Sequence, residues 1–315
     1  MPIGSIAQAR AFYEEAVIQL RNEIGNSKVM MGFSGGVLSC VTAVLLEKAI
    51  GNQLFCVLFD LGLMQNGTAE EARSFVREYC SNELIQVNLE LKTMQALDGV
   101  ESADKKKEIT GKILIDAILD EMEDLGDVNY IAQGITREDK KDSGEISLHH
   151  GFGGPILLLS RYPILEPTAQ LTREEIILVG RILEIPESIL LRKSFAPTSY
   201  LDRCEGKVSR ERIRALRACE TIIDEEFKLA GQYPLIDQIQ TYMPQHCGTN
   251  CSALGKGEQT SEEQEGWTVI LRAKNYTEKG IPRFAKIPYP LLEHICSRIR
   301  GEVPKVTCVM MDLIS

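Results

Sequence analysis

MMGFSGGVLSC, residues Met30 to Cys40, is the stretch on which the fold turns. An apolar run ends in Ser34-Gly35-Gly36 and passes into a second apolar run, Val41 to Ala49. That is the pattern of a buried strand, a glycine loop and a helix. Such a loop presents backbone N–H groups and the positive end of a helix dipole to an anion, and Gly35 and Gly36 lack the Cβ atoms that would hold phosphate away. A nucleotide phosphate is the expected ligand. The loop matches neither G-x-x-x-x-G-K-[ST] nor G-x-G-x-x-G, so it is not one of the two commonest phosphate loops. A strand-to-helix turn that uses glycine only for its backbone shape gives the same short pattern, and the loop alone leaves that alternative standing.

The flanking sequence repeats the strand and helix alternation. Ile6, Ala9, Phe12, Ala16, Leu20 and Ile24 have helical spacing over Ser5 to Ile24, and the loop strand follows at Lys28 to Phe33. A second strand, Gln53 to Phe59, ends at Asp60-Leu61-Gly62 and is followed by a charged helix, Ala69 to Cys80. A third strand is expected at Leu84 to Leu91, a helix at Glu108 to Met122, and a short strand at Asn129 to Ala132 ending in Gln133-Gly134. This order predicts an α/β fold with a parallel sheet, whose ligands lie at the carboxyl ends of the strands. Ser34, Asp60 and Gln133 all fall there.

Thr136 to Glu145 has no apolar residue and reads as a mobile loop suited to an active-site lid, followed by His149-His150 and the turn Gly151 to Gly154. A helix is expected at Thr172 to Leu183, and a connection at Ala196 to Lys207. From Val208 the pattern changes to a smaller α+β unit: helices at Ser209 to Leu229 and Pro290 to Arg300, and strands at Gln238 to Tyr242, Thr268 to Arg272 and Val306 to Asp312. Gln245 to Gly266, rich in Gly, Ser, Thr and Glu, reads as flexible.

With 315 residues the chain has room for about two domains, and 44% apolar with 25% charged residues is ordinary for a soluble globular protein. A net charge of −10 argues against an extended nucleic-acid surface. The apolar runs are too short to span a bilayer, and Arg10, Glu14 and Glu15 stand where a secretion signal is uncharged. A cytoplasmic location follows as the expectation, with the nine cysteines as reduced thiols. Cys56, Cys296 and Cys308 sit in apolar patterns and read as packing residues. Cys40 opens the helix after the loop, where a helix N-terminus lowers a thiol pKa, and Cys204 lies in the connection; both are candidates for a reacting centre. His246, Cys247 and Cys251 have two of the spacings of a zinc site but no evident fourth ligand.

The loop resembles the S-G-G-x-D-S loop of the PP-loop ATP pyrophosphatases, which bind the ATP pyrophosphate there. Further segments then match the synthetase part of GMP synthetase in order: CVLFDLGL at Cys56 to Leu63, IAQGI at Ile131 to Ile135, HHGFGG at His149 to Gly154, ILEP at Ile164 to Pro167, and the closing IPYPLLEHICSRI and VTCVMMDLI. Together they cover nearly the whole chain. The resemblance implies an ATP-pyrophosphatase domain over residues 1–200 and an α+β dimerisation and substrate domain over 201–315, hence a homodimer. It implies ATP and Mg²⁺, and a purine nucleotide whose carbonyl oxygen is joined to AMP so that a nucleophile can displace it. By the same resemblance Ser34, Gly35, Gly36 and Ser39 hold pyrophosphate, Asp60 and Gly62 lie near the adenosine, and Gln133 and Gly134 line the crevice. His149, His150, Glu166, Arg192 and Arg203 are the implied substrate-binding residues, Lys106 and Lys107 reach toward pyrophosphate, and Lys107 and Arg203 join the two thiols as catalytic candidates.

Three departures bear on function. Leu38 stands where the family has Asp. The family's F-P-G-P-G-L-G-V-R connection is FAPTSYLDR here, keeping Phe195 and Arg203 but not the glycines. The sequence ends at Ser315, where the family continues into a nucleotide-binding tail, and holds no glutaminase segment. Ammonia then comes free or from a glutaminase partner. The thiol count favours a second outcome, in which sulfur from a partner protein or from a persulfide on Cys40 or Cys204 replaces the activated oxygen, and this thiolation is preferred by a small margin over amidation. A third reading, set by Leu38, is a nucleotide-binding protein that does not turn ATP over.

Overall fold

The computed structural model describes residues 3–139, 162–191, 200–245, 266–276 and 282–313. The chain divides into two compact units, Met1–Thr93 with Lys107–Arg192, and Met94–Lys106 with Lys193–Ser315.

The first unit is built on five parallel strands, β1 (Lys28–Gly32), β2 (Leu54–Asp60), β3 (Ile85–Asn88), β4 (Val128–Ala132) and β5 (Ile164–Leu165), in the order β3-β2-β1-β4-β5. Met30 pairs with Phe55 on one side and Ile131 on the other, which makes β1 the central strand. Successive side chains of a strand leave opposite faces. Val29 and Met31 accordingly enter the core beneath α1 (Ile6–Ile24) and α2 (Val37–Ile50), whereas Met30 meets Leu114, Ile115, Ile118 and Met122 of α5 (Ala103–Leu125). Helix α2 is buried at most of its positions, from Ser39 through Leu46 without a break. That explains its nearly unbroken apolar sequence.

One short helix interrupts what periodicity alone suggests. The third strand stops at Asn88, whose Oδ1 accepts the Glu90 N–H (3.1 Å) and starts α4 (Glu90–Ala96) after α3 (Thr68–Tyr79). Leu89 and Leu91, which continue the alternating pattern, are therefore helix-start residues.

Helix α6 (Arg173–Ile182), which the one-turn α7 (Glu187–Leu190) follows, opens with a capping box: the Glu175 N–H donates to Thr172 Oγ1 and the Thr172 N–H to Glu175 Oε2 (2.7 Å). The Ile3 N–H donates to the other carboxylate oxygen (2.6 Å), and Arg137 lies 3.6 Å away. Burial by itself pushes the Glu175 carboxyl up, but the Thr172 and Ile3 N–H groups and the Arg137 charge outweigh it and hold the carboxyl below its ordinary range. A depressed folded-state value gives stability that is complete above the unfolded glutamate value of about 4.3 and is lost as pH falls through the folded value. Glu175→Gln is expected to lower the urea midpoint at neutral pH and to flatten its fall below about pH 4.3. Parallel melts of parent and variant at neutral and acid pH check this, and midpoints that fall in step would overturn it.

The second unit holds β6 (Gln238–Tyr242), β7 (Trp267–Tyr276), β8 (Pro282–Phe284) and β9 (Val306–Asp312). Strand β7 is central, antiparallel to β6 and β8 and parallel to β9. Helices α9 (Arg210–Leu229) and α10 (Tyr289–Glu302) pack on each other and against β6 and β9 respectively. The sheet is thus mixed, and β7 is twice the length expected, because its outer half pairs with the three-residue β8.

Candidate functional site

The glycine loop takes its shape from the residues on either side. The Phe33 N–H donates to Val57 O (2.8 Å), and its buried ring stacks on Phe75 at 5.7 Å, which fixes where the chain leaves the sheet. Gly35 then adopts φ +74°, a conformation that favours glycine. Gly36 is the N-cap of α2, in extended backbone and with no side-chain cap. The first helical bond runs from the Cys40 N–H to Gly36 O (2.9 Å), so the N–H groups of Val37, Leu38 and Ser39 have no intrahelical acceptor. Ser39 Oγ donates to Gly36 O (2.9 Å) and lies 3.2 Å from Ser34 Oγ, placing two hydroxyls beside those donors. An uncapped, glycine-lined helix start with added hydroxyls suits a phosphate.

Because the sheet is parallel, β1, β2, β4 and β5 deliver their following residues to one edge. Asp60 Oδ1 accepts the Gly62 N–H (2.8 Å), shaping the turn after β2, where Gly62 has φ +73°. Gln133 is buried after β4, and its Nε2 donates to Glu166 Oε1 after β5 (2.8 Å). Gly134 lies hard against α2: a Cβ there would sit 2.7 Å from Leu38 O. Ser34, Ser39, Asp60, Gly62, Gln133, Gly134 and Glu166 therefore share one edge of one unit. Leu38, in the position of the family's carboxylate, is half-buried and packs on the core below the loop. Among the described residues no group of three or more potential metal ligands assembles. The residues present fit the triphosphate, and a Mg²⁺ ion of the kind held chiefly by substrate phosphates needs no cage of its own.

Other expected site residues have different surroundings. Cys40 is buried, and its thiol donates to Gly35 O (3.6 Å) instead of facing the helix start, so it packs behind the loop. Lys107 is half-buried on α5. Arg203, Cys204 and Lys106 belong to the second unit. Lys106 is a buried residue whose Nζ donates to Cys204 O (2.8 Å), and its loss of solvation lowers its pKa. It fastens Met94–Lys106 into that unit and is not a surface cation reaching for phosphate. Cys204 is fully buried; burial pushes its thiol up, more than Arg212 and Lys106 draw it down. The structure thus turns the two expected reactive thiols into packing residues. Arg203 is also buried, in α8 (Tyr200–Arg203): it pairs with Glu220 and lies 4.3 Å from the Tyr200 ring centroid. His149, His150, Arg192, Phe195, Cys247 and Cys251 lie outside the described residues.

Sequence reasoning missed Thr42, Thr168 and Arg212. Arg212 donates to the carbonyls of Glu205 (2.7 Å) and Pro244 (3.1 Å), joining two chain segments of the second unit, yet in sequence it is one of several arginines on a charged helix. Thr42 and Thr168 are fully buried hydroxyls. No local pattern marks either.

A parallel α/β sheet with a glycine cradle at its carboxyl edge is the architecture of the phosphate-binding α/β class. A family model described as NAD synthase matches residues 10–112, which contain that loop. The chain is homologous to GMP synthases over nearly its whole length. It is 33% identical to the GMP synthase [glutamine-hydrolyzing] of Symbiobacterium thermophilum over 97% of this chain and 59% of that protein. The corresponding protein of Halothermothrix orenii is 32% identical, with 96% and 59% covered. This bears out the resemblance to the PP-loop ATP pyrophosphatases and to GMP synthetase; the chain spans 59% of the length of these relatives. Among solved structures, NMN synthetase from Francisella tularensis aligns with a TM-score of 0.48 and 13% identity, over 60% of this chain and 76% of that one. No helix among the described residues is long and apolar enough to cross a membrane.

Proposed function

We propose that this chain binds Mg-ATP at the Ser34–Ser39 loop, transfers AMP to a carbonyl oxygen of a purine nucleotide with release of pyrophosphate, and lets ammonia displace the AMP. The observation that carries the reading is the uncapped start of α2 in a chain that is similar to GMP synthases over 97% of its own length and 59% of theirs. A purine carbonyl oxygen is a poor leaving group, and its ester with AMP is a good one. The protein's task is to align that oxygen with the α-phosphorus and to stabilise charge on the departing pyrophosphate. In this reading the Val37, Leu38 and Ser39 N–H groups and the Ser34 and Ser39 hydroxyls receive the pyrophosphate. Asp60 and Gly62 shape the wall beside the adenosine, and the Gln133–Glu166 pair offers a polar edge to the base. The proposal includes a homodimer formed through the second unit, a glutaminase as the ammonia source, and a cytoplasmic setting.

Amidation is preferred here over thiolation. A persulfide route through Cys40 or Cys204 needs a thiol that substrate can reach, and both are buried. The test is incubation of the purified chain with Mg-ATP and xanthosine monophosphate, alongside a panel of other purine nucleotides. One set receives ammonium and the other a sulfide donor, with products identified by mass spectrometry. AMP together with an aminated purine is the expected result. A product with sulfur in place of oxygen would replace amidation by thiolation, and no nucleotide-dependent AMP in either set would make the chain a non-catalytic nucleotide-binding protein.

A further inference from the structure

Behind the loop, three elements that carry candidate-site residues are joined through one buried hydroxyl. Thr168 Oγ1 donates to Ile135 O (2.8 Å) and lies 3.4 Å from Thr42 Oγ1. A threonine hydroxyl has one hydrogen. With that hydrogen on Ile135 O, the contact with Thr42 must run the other way, Thr42 donating to Thr168. The result is a directed chain from α2, through Thr168, to the segment after β4. Both threonines are fully buried, so water does not compete for these bonds.

Each end of the chain lies close to the proposed chemistry. Thr42 is one helical turn beyond Ser39, on the helix whose start forms the cradle. Ile135 is two residues past Gln133, and Thr168 is two past Glu166, separated by Pro167 with its restricted φ. Gly134 allows the close approach, since any Cβ there would also lie 2.8 Å from Thr42 Oγ1. We propose that Thr168 is a positioning residue that sets the spacing between the phosphate cradle and the Gln133–Glu166 pair. It touches no substrate and acts through Thr42 and Ile135. The functional half of this inference rests on the reading of the loop as an ATP site; the structural half does not.

The experiment uses the full chain with Thr168→Val, which keeps the shape and removes both bonds, and Thr168→Ser, which keeps the hydroxyl. Leu183→Ala, a buried change outside the chain of hydroxyls, is the control for general loss of stability. Two readouts are taken: amide hydrogen exchange over residues 36–39 and 133–135 without nucleotide, and Mg-ATP affinity by calorimetry. Thr168→Val is expected to speed exchange in both segments and weaken Mg-ATP by roughly tenfold each, as loss of buried hydrogen bonds implies. Thr168→Ser should restore both, and Leu183→Ala should leave the ratio of exchange in these segments to the rest of the unit unchanged. Unaltered exchange in Thr168→Val, or an equal change in Leu183→Ala, would overturn the positioning role. If the parent chain fails to bind Mg-ATP while exchange responds as stated, the ATP reading fails and the spacing role of Thr168 stands.

Discussion

Gly134→Ala is expected to lower stability by about 1–3 kcal/mol, the usual range for forcing an extra carbon into a filled core, and to weaken ATP binding more than that loss of folded protein explains. The added Cβ would lie 2.7 Å from Leu38 O, 2.8 Å from Thr42 Oγ1 and 2.9 Å from Leu38 C. Two of these atoms are helix backbone and cannot turn aside as a side-chain tip does. Gly134 has no positive φ, so alanine is acceptable to its own backbone and the penalty is purely one of approach. Relief requires α2 to back away from the strand end, and the first turn of α2 is the cradle. Gly32→Ala is the matched control, because a Cβ there meets nothing within 4 Å. Urea melts and calorimetry with Mg-ATP on the two variants check the expectation. Equal behaviour of Gly134→Ala and Gly32→Ala would show that the contact is slack.

The second large effect is expected in the other unit. Glu220 accepts the Tyr200 hydroxyl (2.5 Å) and the Thr241 hydroxyl (3.1 Å) and pairs with Arg203. The side chains of Arg203 and Glu220 are 3% and 12% exposed, so the pair is removed from solvent. Among the described residues Arg203 Nε is buried without a hydrogen-bond partner, and Glu220 is the carboxylate that compensates the guanidinium. Glu220→Ala strands the charge and two hydroxyls and should cost about 3–5 kcal/mol, the range for breaking a buried pair from one side. The double variant Arg203→Met with Glu220→Leu removes both charges and should recover part of the loss, because apolar replacement of a buried pair is often near neutral. Urea denaturation of the single and double variants measures both terms. A loss under about 1 kcal/mol for Glu220→Ala would place the pair among solvent-screened ones.

The parts of the fold legible in sequence are those with a local physical signature. Val29 and Met31 against Met30 show the two-residue alternation of a strand covered on both faces, and Ser34-Gly35-Gly36 carries the backbone demand of the loop in its composition. What escaped depends on partners far along the chain. Lys106 looks like one of three solvated lysines until its amine is found on a carbonyl 98 residues away. The Thr42–Thr168 contact spans 126 positions, and nothing about either threonine in its own segment announces it. Cys40 follows the helix start closely in sequence, but its side chain is buried against Gly35 O, which sequence position alone does not reveal. Leu38 is half-buried against the core, where an apolar side chain is at home.

The second unit is assembled from Met94–Lys106 and from residues synthesised after position 192. During vectorial synthesis the earlier segment leaves the ribosome long before the strands it joins exist, and domains generally fold as units. Lys106 consequently begins life as an ordinary hydrated amine and sheds its water only when Cys204 has emerged. Closure of that unit also waits for β9, which pairs in parallel with β7 from Val306 onward. Until those later residues emerge, Leu97 and Lys106, the two residues of this segment that are buried in the folded unit, stand in water without the groups that cover them.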